Sequence, residues 1–169
     1  MLFIGQKGFA VTHIVTTTAD VGDGSLRSAI ADAADGDTVL IDVKGDIELE
    51  SPILINGFGE LTIIGAFPKH TTISPSPGCT GELFNIENSG PIRIEAIGFE
   101  GGNGDIRHVS VIDCPLGVKF ARCRFQNNTM TAAGKFGSAI FAEASFVTIG
   151  ASSIVNNIAE KAAIHGTSS

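Results

Sequence analysis

Arg93 and Lys119 are the two side chains best placed by sequence to act together. They occupy the same position in a repeated apolar pattern, 26 residues apart, so they should sit side by side on neighbouring turns of the chain. Two adjacent cations could grip an acidic sugar. Glu95, Arg122, Arg124 and Glu143 fall at outward positions of the same kind. A second cluster, Asp105, Arg107 and His108, follows the glycine-rich stretch Gly101-Gly102-Asn103-Gly104. Polar clusters on loops make plausible binding patches. The remaining histidines, His13, His70 and His165, are scattered. Acid–base cleavage of a polysaccharide would need paired carboxylates, or a carboxylate near a basic residue in a groove. No Asp lies on the Arg93 and Lys119 rungs to complete a calcium-assisted lyase site. Sugar clefts also commonly use Trp or Tyr as platforms. The chain has neither, and its Phe residues fall at inward positions of the pattern.

Other chemistries lack their signatures. Cys79, Cys114 and Cys123 have spacings that match no zinc pattern and read as small buried residues. A Cys114–Cys123 disulfide is a possibility that nothing else in the sequence supports. No G-x-S-x-G elbow and no phosphate-binding Gly loop occurs. Asp20-Val21-Gly22-Asp23-Gly24 departs from the calcium-loop spacing and reads as a turn. No catalytic residue, metal or cofactor is therefore assigned. Eleven basic against eighteen acidic residues give a net charge of −7. With no Lys/Arg cluster in the sequence, nucleic acid is not an expected partner. No apolar run approaches the length of a membrane helix, so membrane insertion by this segment is not expected.

The elements that would position these residues follow from a repeat. Ile92, Ile94, Ile97, Phe99 and Gly102 recur as Val118, Phe120, Cys123, Phe125 and Asn128, then as Val147, Ile149, Ser152, Ile154 and Asn157. Apolar-x-apolar is a short strand with alternate side chains on one face. Two spacer residues bend the chain into a second short strand. The Gly102, Asn128 and Asn157 position suits a residue with positive φ, and stacked asparagines could form an amide ladder. A third apolar segment completes each unit, as in Leu83–Ile86, Val109–Ile112 and Ala139–Phe141. Three strands per unit describe a right-handed parallel β-helix, a solenoid of the pectate-lyase-like kind, with Phe99, Phe125 and Ile154 in one core column. Upstream, Val39–Ile41, Ile47–Leu49, Ile53–Ile55, Leu61–Ile63 and Thr71–Ile73 are shorter strand candidates, separated by Gly45, Pro52, Gly57, Gly59, Gly65 and Pro68.

One segment breaks the strand rule. Leu26, Ala29, Ile30 and Ala33 follow the i, i+3, i+4, i+7 spacing of a helix face, with capping residues at Asp23-Gly24-Ser25 and a stop at Asp35-Gly36. Solenoids need terminal caps, so this helix should cross the first coil, with Phe9 to Thr17 as a strand leading into it. Residues 1–46 would then be strand and cap, and 47–169 the coils, open at the C-terminal end.

Val15–Asp20, Gly24-Ser25-Leu26-Arg27-Ser28-Ala29-Ile30 and Gly36–Val39 together resemble the N-terminal cap of large bacterial secreted β-helix proteins. Phe125-Gln126-Asn127-Asn128, followed by Gly137-Ser138-Ala139-Ile140, resembles the paired repeats of polymorphic outer-membrane proteins, which are autotransporter-type adhesins. The resemblance implies a secreted or cell-surface location, with any signal peptide outside this chain. It further implies a non-catalytic role in adhesion, display or structure, with a polysaccharide or a host-surface protein as partner. The open end would continue into further coils or self-associate. The alternative is a polysaccharide lyase or hydrolase, which rests on fold analogy.

Overall fold

The computed structural model describes residues 9–66, 71–131, 137–159 and 162–167. Pro68 and His70 lie outside the described residues. The strands stack in parallel into three walls of a β-helix. Wall A has six strands: Thr12–Val15, Thr38–Ile41, Leu61–Gly65, Ile92–Glu95, Val118–Ala121 and Val147–Gly150. Wall B has five: Gly45–Leu49, Thr71–Pro75, Gly98–Glu100, Arg124–Gln126 and Ser153–Val155. Wall C also has five: Ile53–Asn56, Glu82–Glu87, Arg107–Ile112, Ile140–Glu143 and Ile164–Thr167. A short ladder of Asn103–Gly104, Thr129–Met130 and Ile158–Ala159 lies between walls B and C in the chain.

Strict register turns alternation into columns. On wall B, Ile47, Ile73, Phe99, Phe125 and Ile154 face one another in order. The Phe99 and Phe125 rings stack with centroids 5.0 Å apart and an interplanar angle of 7°. Phe84 and Phe120 meet this pair edge-on, each at 5.4 Å. All four rings are buried, and each contributes on the order of 2–3 kcal/mol through burial. Ile154, on the last coil, is only half-buried.

The corners are built from left-handed residues. Ala96, Arg122 and Ala151 turn wall A towards wall B with φ of 58°, 55° and 49°. At the end of wall B the left-handed residues are Gly101, Asn127 and Asn156. The amide ladder expected at Asn128 and Asn157 therefore sits one residue earlier. Asn156 Nδ2 donates to Asn127 Oδ1 at 3.4 Å, and Asn127 Nδ2 donates to Glu100 Oε1 at 3.0 Å. Gly102 does have positive φ, but Asn128 and Asn157 do not. Their amides instead bond backbone: Asn157 Oδ1 accepts the Asn128 N–H at 3.1 Å, and Asn157 Nδ2 donates to the Phe125 carbonyl at 2.8 Å.

Connections between walls differ in tolerance. From wall A to wall B, the separations are eight, Val39 to Ile47, and ten, Ile63 to Ile73, on the first two coils, and then Ile94 to Phe99, Phe120 to Phe125 and Ile149 to Ile154 are each five residues. From wall B to wall C the separations run from six, Ile47 to Ile53, through ten, Phe99 to Val109, to fifteen, Phe125 to Ile140. The walls keep their register throughout.

The helix α1 spans Leu26–Asp32. Ser25 Oγ accepts the Ser28 N–H, and Leu26, Ala29 and Ile30 are buried. Arg27 explains why the cap needs arginine. Nε and Nη2 donate to Asp20 Oδ1 at 3.2 and 2.7 Å, while Nη1 and Nη2 reach the Pro52 and Ser51 carbonyls at 2.9 and 2.7 Å. One planar fork thus ties the turn before the helix to the first corner of the coil. Asp37 closes the other side. Its carboxylate accepts the Val11 and Ala34 N–H groups, each at 2.8 Å, and meets His13 Nε2 at 2.9 Å. Those two backbone donors, then His13, hold its pKa down at about 2.

Candidate functional site

Wall A presents an outward row that is read directly from the register: Thr12, Thr38, Thr62, Arg93, Lys119 and Thr148. Arg93 and Lys119 are direct neighbours on adjacent strands, and both are exposed. They line a groove of about 450 Å³ with Glu60, Thr62, Leu116, Phe146 and Thr148. Leu116 and Phe146 are among the most exposed apolar side chains, at 72% and 73%. Phe146 is placed by backbone bonds on either side, its carbonyl accepting the Val118 N–H at 2.8 Å and its N–H donating to the Cys114 carbonyl at 3.3 Å.

Behind the row stands a buried carboxylate. The Glu95 side chain is 4% exposed and pairs with Arg93 through Oε2 and with Arg122 through Oε1. The alternation had put Glu95 outward beside Arg93; the two arginines instead enclose it at the corner. Arg122 takes the left-handed corner position that Ala96 and Ala151 take on neighbouring coils, which swings its guanidinium back over Glu95.

Asp105, Arg107 and His108 do not form one patch. Asp105 is exposed. Arg107 begins a wall C strand, donates to Ser110 Oγ at 3.0 Å and lies 4.7 Å over the Phe141 ring. Phe141 in turn stacks on His165 at 6.0 Å. His108 is wholly buried, with its ring 6.3 and 6.1 Å from those of Phe99 and Phe125. Its Nε2 donates to the Gly101 carbonyl at 2.9 Å. Burial pushes its pKa down to about 4, against the opposing pull of that bond and of Glu100. The glycines suggested a loop, yet the strand starts at Arg107 and draws His108 into the core.

Phe is not confined to the interior either. Phe141 is half-buried on the outer row of wall C and Phe146 is exposed beside Lys119. The groove therefore has an aromatic platform without Trp or Tyr.

All three cysteines are free and buried, and Cys114 and Cys123 meet corner serines. Cys114 Sγ donates to the Ile112 carbonyl at 3.3 Å, and the Cys114 N–H donates to Ser145 Oγ at 2.9 Å. Cys123 repeats this arrangement with the Ala121 carbonyl and Ser152 Oγ. On the coil before Cys114, Ser89 Oγ donates to the Glu87 carbonyl at 2.7 Å. Thiol and hydroxyl fill one structural role. Burial raises the pKa of all three thiols, which makes them poor nucleophiles.

No protein-family model, curated protein or solved structure matches the chain. No helix among the described residues is long and apolar enough to cross a membrane.

Proposed function

We propose that this chain is a non-catalytic β-helix module of a secreted or cell-surface bacterial protein, used for adhesion or display. The reading follows the resemblance of its cap and its Phe-x-x-Asn motif at Phe125–Asn128 to autotransporter-type adhesins. The observation that carries it is that, among the described residues, no second carboxylate joins Glu60 in the wall A groove. Proton transfer needs its donor or acceptor within hydrogen-bond reach of the reacting atom. Glu95 is buried and committed to two guanidiniums. Glu60 immediately precedes the Leu61–Gly65 strand, one coil before Arg93 and two before Lys119, or roughly 5 and 10 Å along the axis. The groove offers charge and contact area, which serve binding.

The test is incubation with a panel of acidic polysaccharides, following unsaturated products by ultraviolet absorbance and new reducing ends by colorimetry, alongside adhesion of the labelled protein to cells and extracellular matrix. Adhesion without products is the expected result. Sustained turnover at any substrate would replace this reading with a polysaccharide lyase or hydrolase.

A further inference from the structure

The surface beside the wall A groove has a charge sign opposite to that of the whole molecule. Arg93, Lys119 and Arg122 bring three cations to two neighbouring coils, against the buried carboxylate of Glu95 and that of Glu60, which lines the groove one coil before Arg93 and leaves the cations in excess. The chain as a whole carries −7. Positive charge concentrated on a negative protein selects for an anionic partner and steers it to one place.

The cations also differ in how they are held. The Glu95 carboxylate binds both guanidiniums, and its own side chain is 4% exposed, so it cannot swing away. Arg93 is thereby ordered before any ligand arrives, which lowers the entropy cost of binding. Arg93 still has half of its side chain in solvent, leaving donors for a second anion. Lys119 adds a compact point charge about 4.8 Å further along the axis. Beyond it Phe146 and Leu116 offer apolar area, while Thr62 and Thr148 flank the two cations in the row with hydroxyls.

The geometry points to a binding site for a linear anionic glycan, carboxylated or sulfated, lying along the solenoid axis across Thr62, Arg93, Lys119 and Thr148 with one sugar ring against Phe146. This rests on the reading of the chain as a surface binding module. The acidic groups meet the guanidinium fork and the ammonium. The apolar face of a pyranose meets the aromatic ring. The threonines continue the row with hydroxyls that can donate to or accept from sugar hydroxyls. A shallow groove that crosses successive coils suits an extended polymer better than a compact ligand.

The experiment titrates the intact protein with heparin and polygalacturonate oligosaccharides by calorimetry, with dextran and single-stranded DNA as controls. Binding to at least one of the two acidic glycans is expected, weakening as salt rises. Heparin and polygalacturonate distinguish sulfate from carboxylate as the recognised group. Lys119→Glu changes an exposed side chain and should lower the affinity about tenfold or more, since 1.4 kcal/mol corresponds to a factor of ten. Phe146→Ala should lower it about threefold to tenfold by removing the stacking surface. A thermal melt of each variant checks that the fold is intact. Absence of binding to both acidic glycans, an unchanged affinity in Lys119→Glu, or equal affinity for dextran or DNA would each overturn the site. Adhesion that persists in Lys119→Glu would remove this site and leave the module reading standing, whereas cleavage of either glycan would remove the module reading itself.

Discussion

Acidification should loosen this β-helix through one buried ring. His108 is wholly buried beside the Phe99 and Phe125 stack, and its folded-state pKa of about 4 lies below the ordinary value of 6.5. Because the folded value is depressed, the folded state binds the proton less readily than the unfolded chain. The neutral ring's contribution is complete above pH 6.5, declines as pH falls towards 4, and changes no further below that. Each pH unit inside the window corresponds to about 1.4 kcal/mol. At pH 5 the folded state should therefore have lost about 2 kcal/mol relative to pH 7.5. For a chain of this size that is a drop in Tm of about 4–8 °C. The assay is thermal unfolding followed by the strand signal in circular dichroism at pH 7.5, 6, 5 and 4.5, on the wild type and on His108→Gln. Glutamine cannot take up the proton, so its melting temperature should fall less over the same range. The comparison subtracts every other pH-dependent contribution, which both proteins share. Equal pH dependence in the two proteins would refute the burial argument.

Phe125→Asp would place an unpaired carboxylate between Phe99 and Ile154 and should cost about 4 kcal/mol or more, seen as loss of the cooperative melt; an unchanged Tm would mean that the coil register is wrong. Arg27→Ala strands the Asp20 carboxylate and two corner carbonyls, and should cost about 2–3 kcal/mol, with hydrogen exchange rising first around α1. The Asp37 carboxylate, held at about pH 2 in the folded protein, contributes stability above pH 4 that is lost as pH falls towards 2; exchange of the Val11 and Ala34 amides should accelerate in that window, and amides that stay protected at pH 2 would contradict it. Cys114→Ser should fold with a near-native Tm, because serine already fills this corner at Ser89 and Ser145, and a large loss would show that sulfur has a role of its own.

The column Phe99, Phe125 and Ile154 and the neighbours Arg93 and Lys119 were both legible from the apolar pattern, because a parallel helix with constant register places equivalent residues in contact. Four things were not legible. The left-handed corner falls at Asn127 and Asn156 rather than at Asn128 and Asn157, since the turn needs its positive φ immediately after the strand. The Cys/Ser corners were hidden by grouping cysteine with apolar residues, when its position is set by a hydrogen bond. Glu95 appeared to face solvent because alternation was extended to the last residue of a strand, where the chain already bends towards Ala96. His108 was read as loop because four residues rich in glycine precede it. Burial of a histidine depends on partners in the Gly101 carbonyl and two distant rings, and none of these is visible locally.

The unequal spacing between walls B and C makes one longitudinal ridge of the rod permissive. Register is kept by the walls on either side, so peptide inserted along this ridge alters neither the core columns nor the wall A row. Doubling a loop there costs only about 0.6 kcal/mol of closure entropy. The same rod could therefore carry a succession of interchangeable loops, and foreign epitopes grafted at the exposed Asp105, between wall B and wall C, would be presented on a scaffold that does not have to refold around them.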